Sequence, residues 1–114
     1  MKLAEIVRHL ECEPLWDSGK MGTEVTSCMA SDMMSDVLAY AKPGSLLITG
    51  LISTQSVRTA EVADFAGIIY VRGKRPDDQT VELAKELLMP LFITQHGMFE
   101  ACWVLRSAGL EGIC

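Results

Sequence analysis

The sequence has no long hydrophobic run. Hydrophobic residues make up 49% of its 114 positions, yet no stretch reaches the roughly 18 apolar residues of a membrane-spanning helix. Leu46 to Ile52 is far too short and carries Thr49 and Gly50, so no membrane partner is expected. Met1 to Leu10 is charged and amphipathic, without the apolar centre of a secretory signal, and a cytoplasmic location is expected. Basic residues are few: 10 Lys and Arg face 15 Asp and Glu, for a net charge of −5. Arg72-Gly73-Lys74-Arg75 is the one basic cluster. A surface that tracks nucleic-acid phosphates needs a broad basic face, so nucleic acid is not an expected partner. The four cysteines, Cys12, Cys28, Cys102 and Cys114, form no Cys-x-x-Cys pair. Clustered spacing is the usual mark of a zinc or iron–sulfur site, and no metal site is expected. Cys28 and Cys102 sit in apolar segments and read as small core residues. Neither Gly-x-Gly-x-x-Gly nor a Walker-type loop is present. A nucleophile with its base is also missing: His96 with Glu100 four residues on is the nearest approach to a catalytic pair. The chain therefore reads as non-enzymatic.

What is present is a regular alternation of patterns over a length suited to one domain, residues 1–114. Lys2 to Leu10 places Leu3, Ile6, Val7 and Leu10 at helical spacing. Cys12 to Trp16 and Glu24 to Ala30 read as two strands across a glycine-bearing turn, hence a hairpin with a long loop. Asp32 to Ala41 reads as a helix stopped by Pro43-Gly44. From Ser45 onward, apolar strands (Ser45 to Thr49, Ile68 to Val71, Leu91 to Thr94) alternate with helices (Ser56 to Ala66, Asp78 to Leu88, Gly97 to Ala108). That order predicts an α/β fold: a single three-layer domain, a mostly parallel sheet of βαβ units with right-handed crossovers, and an amino-terminal helix and hairpin. The last helix carries Met98, Phe99, Ala101, Cys102, Trp103, Val104 and Leu105. A helix apolar on more than one side needs two partners, which predicts a homodimer.

Open parallel sheets bind ligands beyond the carboxyl ends of their strands. Those ends carry Thr49, then Arg72-Gly73, then Thr94-Gln95-His96, while Ser31 and Asp32 follow the preceding strand. Helix amino termini beside them favour anions. The candidate ligand-binding residues are Thr26, Ser27, Ser31, Asp32, Thr49, Thr94, Gln95 and His96. The expected ligand is a small anionic metabolite or nucleotide. The same residue types also serve as ordinary helix caps.

The segment Lys2-Leu-Ala-Glu-Ile-Val-Arg-His-Leu10, the Gly19 and Gly22 approach to Glu24-Val25-Thr26, and the run from Ser31-Asp32 through Lys42-Pro43-Gly44 to Leu47-Ile48-Thr49 resemble the DRTGG domain family over nearly the whole chain. Members of that family are similar to the amino-terminal domain of HPr kinase/phosphorylase and also occur beside CBS domains. The name-giving Asp-Arg-Thr-Gly-Gly falls here on Gly22-Thr23-Glu24-Val25-Thr26-Ser27-Cys28, where Thr26 is kept and the flanking Asp-Arg and Gly-Gly are not. The resemblance implies a dimeric α/β module with a regulatory or ligand-sensing role. It implies no catalytic residue and no kinase activity, because the phosphate-binding loop of HPr kinase belongs to a separate domain. Stand-alone members accompany iron-only hydrogenase systems, and some carry the label of iron–sulfur binding hydrogenase. A hydrogenase-system protein is thus an implied partner. The alternative implied by the label is an accessory iron–sulfur or redox protein using Cys12, Cys28, Cys102 and Cys114.

Overall fold

The computed structural model of the chain describes residues 1–113. Helix α1 (Leu3–His9) comes first, followed by strands β1 (Glu13–Pro14) and β2 (Cys28–Ala30). Then α2 (Met34–Tyr40), β3 (Leu46–Thr49), α3 (Thr54–Val62), β4 (Gly67–Tyr70), α4 (Asp78–Glu86), β5 (Leu91–Ile93) and α5 (Met98–Ser107) alternate to the end. The five strands form one sheet in the order β1-β5-β4-β3-β2, with β2 to β5 parallel and β1 antiparallel on β5.

The central strands are buried on both faces, so their side chains divide by the two-residue period of the pleat. Leu46 and Ile48 of β3, Ile69 of β4 and Phe92 of β5 face one side, where they meet Leu3 and Ile6 of α1 and Ala101 and Leu105 of α5. Leu47, Ile68, Tyr70 and Leu91 face the other, against Val37 of α2, Val57 and Ala60 of α3 and Ala84 of α4. The three layers and the parallel βαβ units follow the sequence reading. Tyr70 is fully buried and satisfies its hydroxyl on Ser56 Oγ at 2.8 Å.

The hairpin does not form. β1 and β2 lie at opposite borders of the sheet. β1 is fastened to β5 instead: Leu15 N donates to Leu91 O at 2.9 Å, and Trp16 Nε1 donates to Met89 O at 2.9 Å. The β-prone run before β2 turns its backbone on α1. Leu3 N donates to Thr23 O, Ala4 N to Met21 O, and Val25 N to Met1 O. The first N–H groups of a helix have no partner within it, and residues 21–23 supply carbonyls to two of them. Periodicity cannot reveal that competition, and the strand predicted for Glu24 to Ala30 shortens to Cys28–Ala30.

Helices α3 and α4 each end in a non-glycine residue with left-handed backbone, Asp64 (φ +59°) and Leu88 (φ +58°). Aspartate tolerates that region, while leucine pays about 1 kcal/mol or more for it. Leu88 is 56% exposed, so little packing is lost with its side chain. Leu88→Gly is expected to stabilise the fold by about 0.5–1 kcal/mol. The measurement is a rise in urea midpoint at constant m-value.

Candidate functional site

The crossovers through α2, α3 and α4 all pack on one face of the sheet, whereas α5 leaves β5 for the other. Neighbouring strands β4 and β5 therefore send their exits to opposite faces. Open parallel sheets bind ligands beyond the carboxyl edge at such a point of divergence. One wall of that edge is Arg72-Gly73-Lys74 after β4. The other is Thr94-Gln95-His96-Gly97 after β5.

Backbone hydrogen bonds hold these walls in register: Arg72 N donates to His96 O at 2.8 Å, and Gly73 N to Thr94 O at 2.8 Å. Gly73 has φ +65°, and a Cβ there would lie 2.6 Å from Gln95 Oε1. Glycine thus supplies both the left-handed turn and the room for the Gln95 amide to lie across it. Gln95 and His96 also border a 200 Å³ hollow with Leu10 and Glu11. Arg72 and Lys74 are exposed. Arg75 is held by Glu13 through two 2.8 Å contacts, whereas Arg72 enters no ion pair among the described residues. The amino end of α5 has no side-chain cap, so its first N–H groups remain available to an acceptor. Glu100 is the one acid in that first turn.

A second cluster bridges the exits of β2, β3 and β4. Asp32 Oδ1 accepts from Gly50 N at 2.7 Å and from Thr49 Oγ1 at 3.0 Å. Lys74 Nζ donates to Gly50 O at 3.0 Å. A Cβ on Gly50 would meet both the Asp32 carboxylate and the Lys74 ammonium within 3.6 Å. Just beyond, Ser53 Oγ at the start of α3 is buried without a hydrogen-bond partner among the described residues.

Of the candidate residues, Ser31, Asp32, Thr49, Thr94, Gln95 and His96 lie along the carboxyl edge. Their roles there differ. Ser31 Oγ accepts from Met33 N at 3.0 Å, an ordinary turn at the start of α2. Thr94 is fully buried and donates to Leu10 O at 2.8 Å, which ties β5 to the carboxyl end of α1. Gln95 is exposed and His96 half-buried. Thr26 and Ser27 are at the opposite edge, where β2 and β3 begin: Thr26 N donates to Gly44 O at 3.1 Å, and Ser27 Oγ meets Ser45 Oγ at 2.7 Å. Lys74 is absent from the candidate residues, and Ser53, just beyond the exit of β3, reads from sequence as an ordinary helix-capping type. Their position just past β4 and β3 was the available signal, but Lys74 stood in the one basic cluster, which was weighed only against nucleic acid.

Residues 5–108 match the DRTGG domain family. The chain belongs to that family. No curated protein matches it. Among solved structures, the DRTGG chain is similar to the CBS and DRTGG domains of the regulatory region of Clostridium perfringens pyrophosphatase, crystallised with the activator diadenosine tetraphosphate. The TM-score is 0.69 at 17% identity. The likeness covers 91% of this chain and 45% of that one, so this DRTGG domain spans less than half of its neighbour's length. At that identity the comparison concerns the fold.

Three of the four cysteines, Cys12, Cys28 and Cys102, are described, and all three are half-buried. No three His, Cys, Asp or Glu side chains among the described residues are placed to share a metal ion. Cys12 packs against the core beneath α1 and α5, and Cys28 and Cys102 border a 150 Å³ cavity between β2 and α5. Burial pushes the thiols of Cys12 and Cys28 up to about 12 and raises that of Cys102. Partial burial beside apolar neighbours thus favours the thiol over the thiolate at all three. Cys114 lies outside the described residues. No helix among those residues is long and apolar enough to cross a membrane.

Proposed function

We propose that this DRTGG domain is a non-enzymatic regulatory module that senses a small anionic metabolite, a nucleotide, in the crevice between the exits of β4 and β5. The observation that carries the reading is the divergence of those two exits beside the uncapped amino end of α5, with Arg72 and Lys74 at its mouth. Backbone N–H groups and two cations suit a phosphate. The pyrophosphatase neighbour, a regulatory region complexed with a nucleotide activator, supports the same ligand class.

Titration calorimetry with ATP and with diadenosine tetraphosphate tests the reading. Binding is expected, and Arg72→Ala is expected to weaken it about tenfold, or about 1.4 kcal/mol. An absence of heat and of thermal stabilisation with both compounds overturns the ligand assignment.

The proposal includes a homodimer in the cytoplasm, serving a hydrogenase system. Phe99 and Trp103, four residues apart on α5, are 81% and 61% exposed. Two large apolar side chains on one helical stripe favour a partner surface. Sedimentation is expected to show a dimer that Trp103→Glu converts to monomer with unchanged circular dichroism.

A further inference from the structure

The amino edge of the sheet holds a second cleft, of about 440 Å³, far from the strand exits. The turn bearing Lys20 and Thr23 borders it, as do the segments that end α3 and α4. Phe65 and Met89 are nearly fully buried and give it an apolar floor. Glu61 and Asp64 are exposed at its margin, and neither carboxylate is in an ion pair among the described residues. Helices α3 and α4 both turn their carbonyl ends toward this edge, each bringing a partial negative charge of about half a unit. Lys20 is the one cation in the lining, and its Nζ donates to Leu88 O at 2.9 Å. An ammonium group is therefore already seated on the turn that follows α4, in a cleft shared with two carboxylates that enter no ion pair among the described residues.

We propose that this cleft binds an aliphatic diamine or polyamine. One ammonium takes the Leu88 carbonyl in place of Lys20. The methylene stem lies on Phe65 and Met89, and a second ammonium is answered by Glu61 and Asp64. The apolar floor separates this ligand from a hard metal ion, which needs several converging oxygen ligands. No group of three candidate ligand side chains is assembled among the described residues. The inference is independent of the nucleotide reading, because the two sites lie at opposite ends of the strands.

The test uses the full chain, labelled with nitrogen-15, and 1,5-diaminopentane as probe. MgCl2 at matched ionic strength and 1,5-pentanediol serve as controls. Saturable amide shifts are expected at residues 63–65 and 87–89 with the diamine alone. Lys20→Ala is expected to tighten binding at least threefold by removing the internal competitor. The pair Glu61→Gln and Asp64→Asn is expected to weaken it at least tenfold. Asparagine tolerates the left-handed backbone at position 64, and both sites are exposed, so the fold is retained and the spectrum verifies it. The proposal is overturned by an absence of shifts or by equal shifts with either control. Unchanged affinity in the carboxylate variant, or in Lys20→Ala, overturns it as well.

Discussion

Between pH 9 and 12 the domain is expected to lose stability steeply, with the slope reaching about 4 kcal/mol per pH unit near pH 11. Three weak acids set this window: Tyr70, fully buried, and Cys12 and Cys28, half-buried. Burial pushes Cys12 and Cys28 from 9.0 to about 12. Burial likewise pushes Tyr70 from 10.0 to about 12, against a smaller opposing effect of its hydrogen bond with Ser56. In each case the folded state holds the proton more tightly than the unfolded chain does. The stabilisation is thus complete below the unfolded value. It declines once the unfolded chain begins to ionise, and it is gone when pH passes the folded value. While the unfolded form is ionised and the folded form is not, each group removes about 1.4 kcal/mol per pH unit. The exposed ion pairs, Lys85 with Glu82 and Arg75 with Glu13, add little to this slope. Urea midpoints at pH 8, 10 and 11 under reducing conditions provide the measurement. Cys12→Ala and Cys28→Ala should each flatten the slope by about one group's share while lowering stability at pH 8. A flat profile up to pH 11 in the unmodified protein contradicts the burial of these groups.

The second large effect is expected at Asp32. Asp32→Ala should cost about 2–3 kcal/mol, a large loss for a residue whose own surface is exposed. Its Oδ1 alone receives Gly50 N and Thr49 Oγ1. Thr49 is fully buried, so alanine leaves its hydroxyl without that acceptor away from water. Asp32→Asn keeps an oxygen at that position and should cost less than half as much. The contrast between the two variants separates loss of the acceptor from loss of the charge. Because Lys74 reaches the carbonyl of the same Gly50, the alanine variant should also loosen the exit of β4 and weaken nucleotide binding. Denaturation with both variants, followed by calorimetry on the surviving fold, measures the two consequences. Equal stability of all three proteins removes Asp32 as the tie between the exits of β2 and β3.

Local pattern and tertiary placement contributed differently to these conclusions. The apolar runs at β3, β4 and β5 are unbroken, and such runs between helices have few arrangements other than a parallel sheet. The helices α3, α4 and α5 were readable from their periodicity and the turn residues around them. The family was legible too, because its resemblance runs along most of the chain rather than through one motif. The alignment of Thr49, Arg72 and Thr94 along one edge also follows from chain direction alone, since parallel strands must end at the same side.

Other features had no sequence signal. Glu24 to Thr26 is β-prone, yet its neighbourhood hydrogen-bonds to the start of α1, because open helical N–H groups lie closer to it than β1 does. Thr94 and Ser31 are residue types that bind ligands or cap turns equally well, and only their neighbours Leu10 and Met33 assign them to structure. Thr26 and Ser27 precede a strand, so the direction of the chain carries them to the edge opposite Asp32.

By itself the sequence determined the layers, the strand direction and the family, because periodicity and turn chemistry are properties of neighbouring residues. Only the tertiary structure decided that β1 and β2 part to opposite borders, that Gln95 lies over Gly73, and that Lys20 meets the end of α4. Those contacts join residues 22 and 68 positions apart or belong to strands whose order in the sheet no local pattern records.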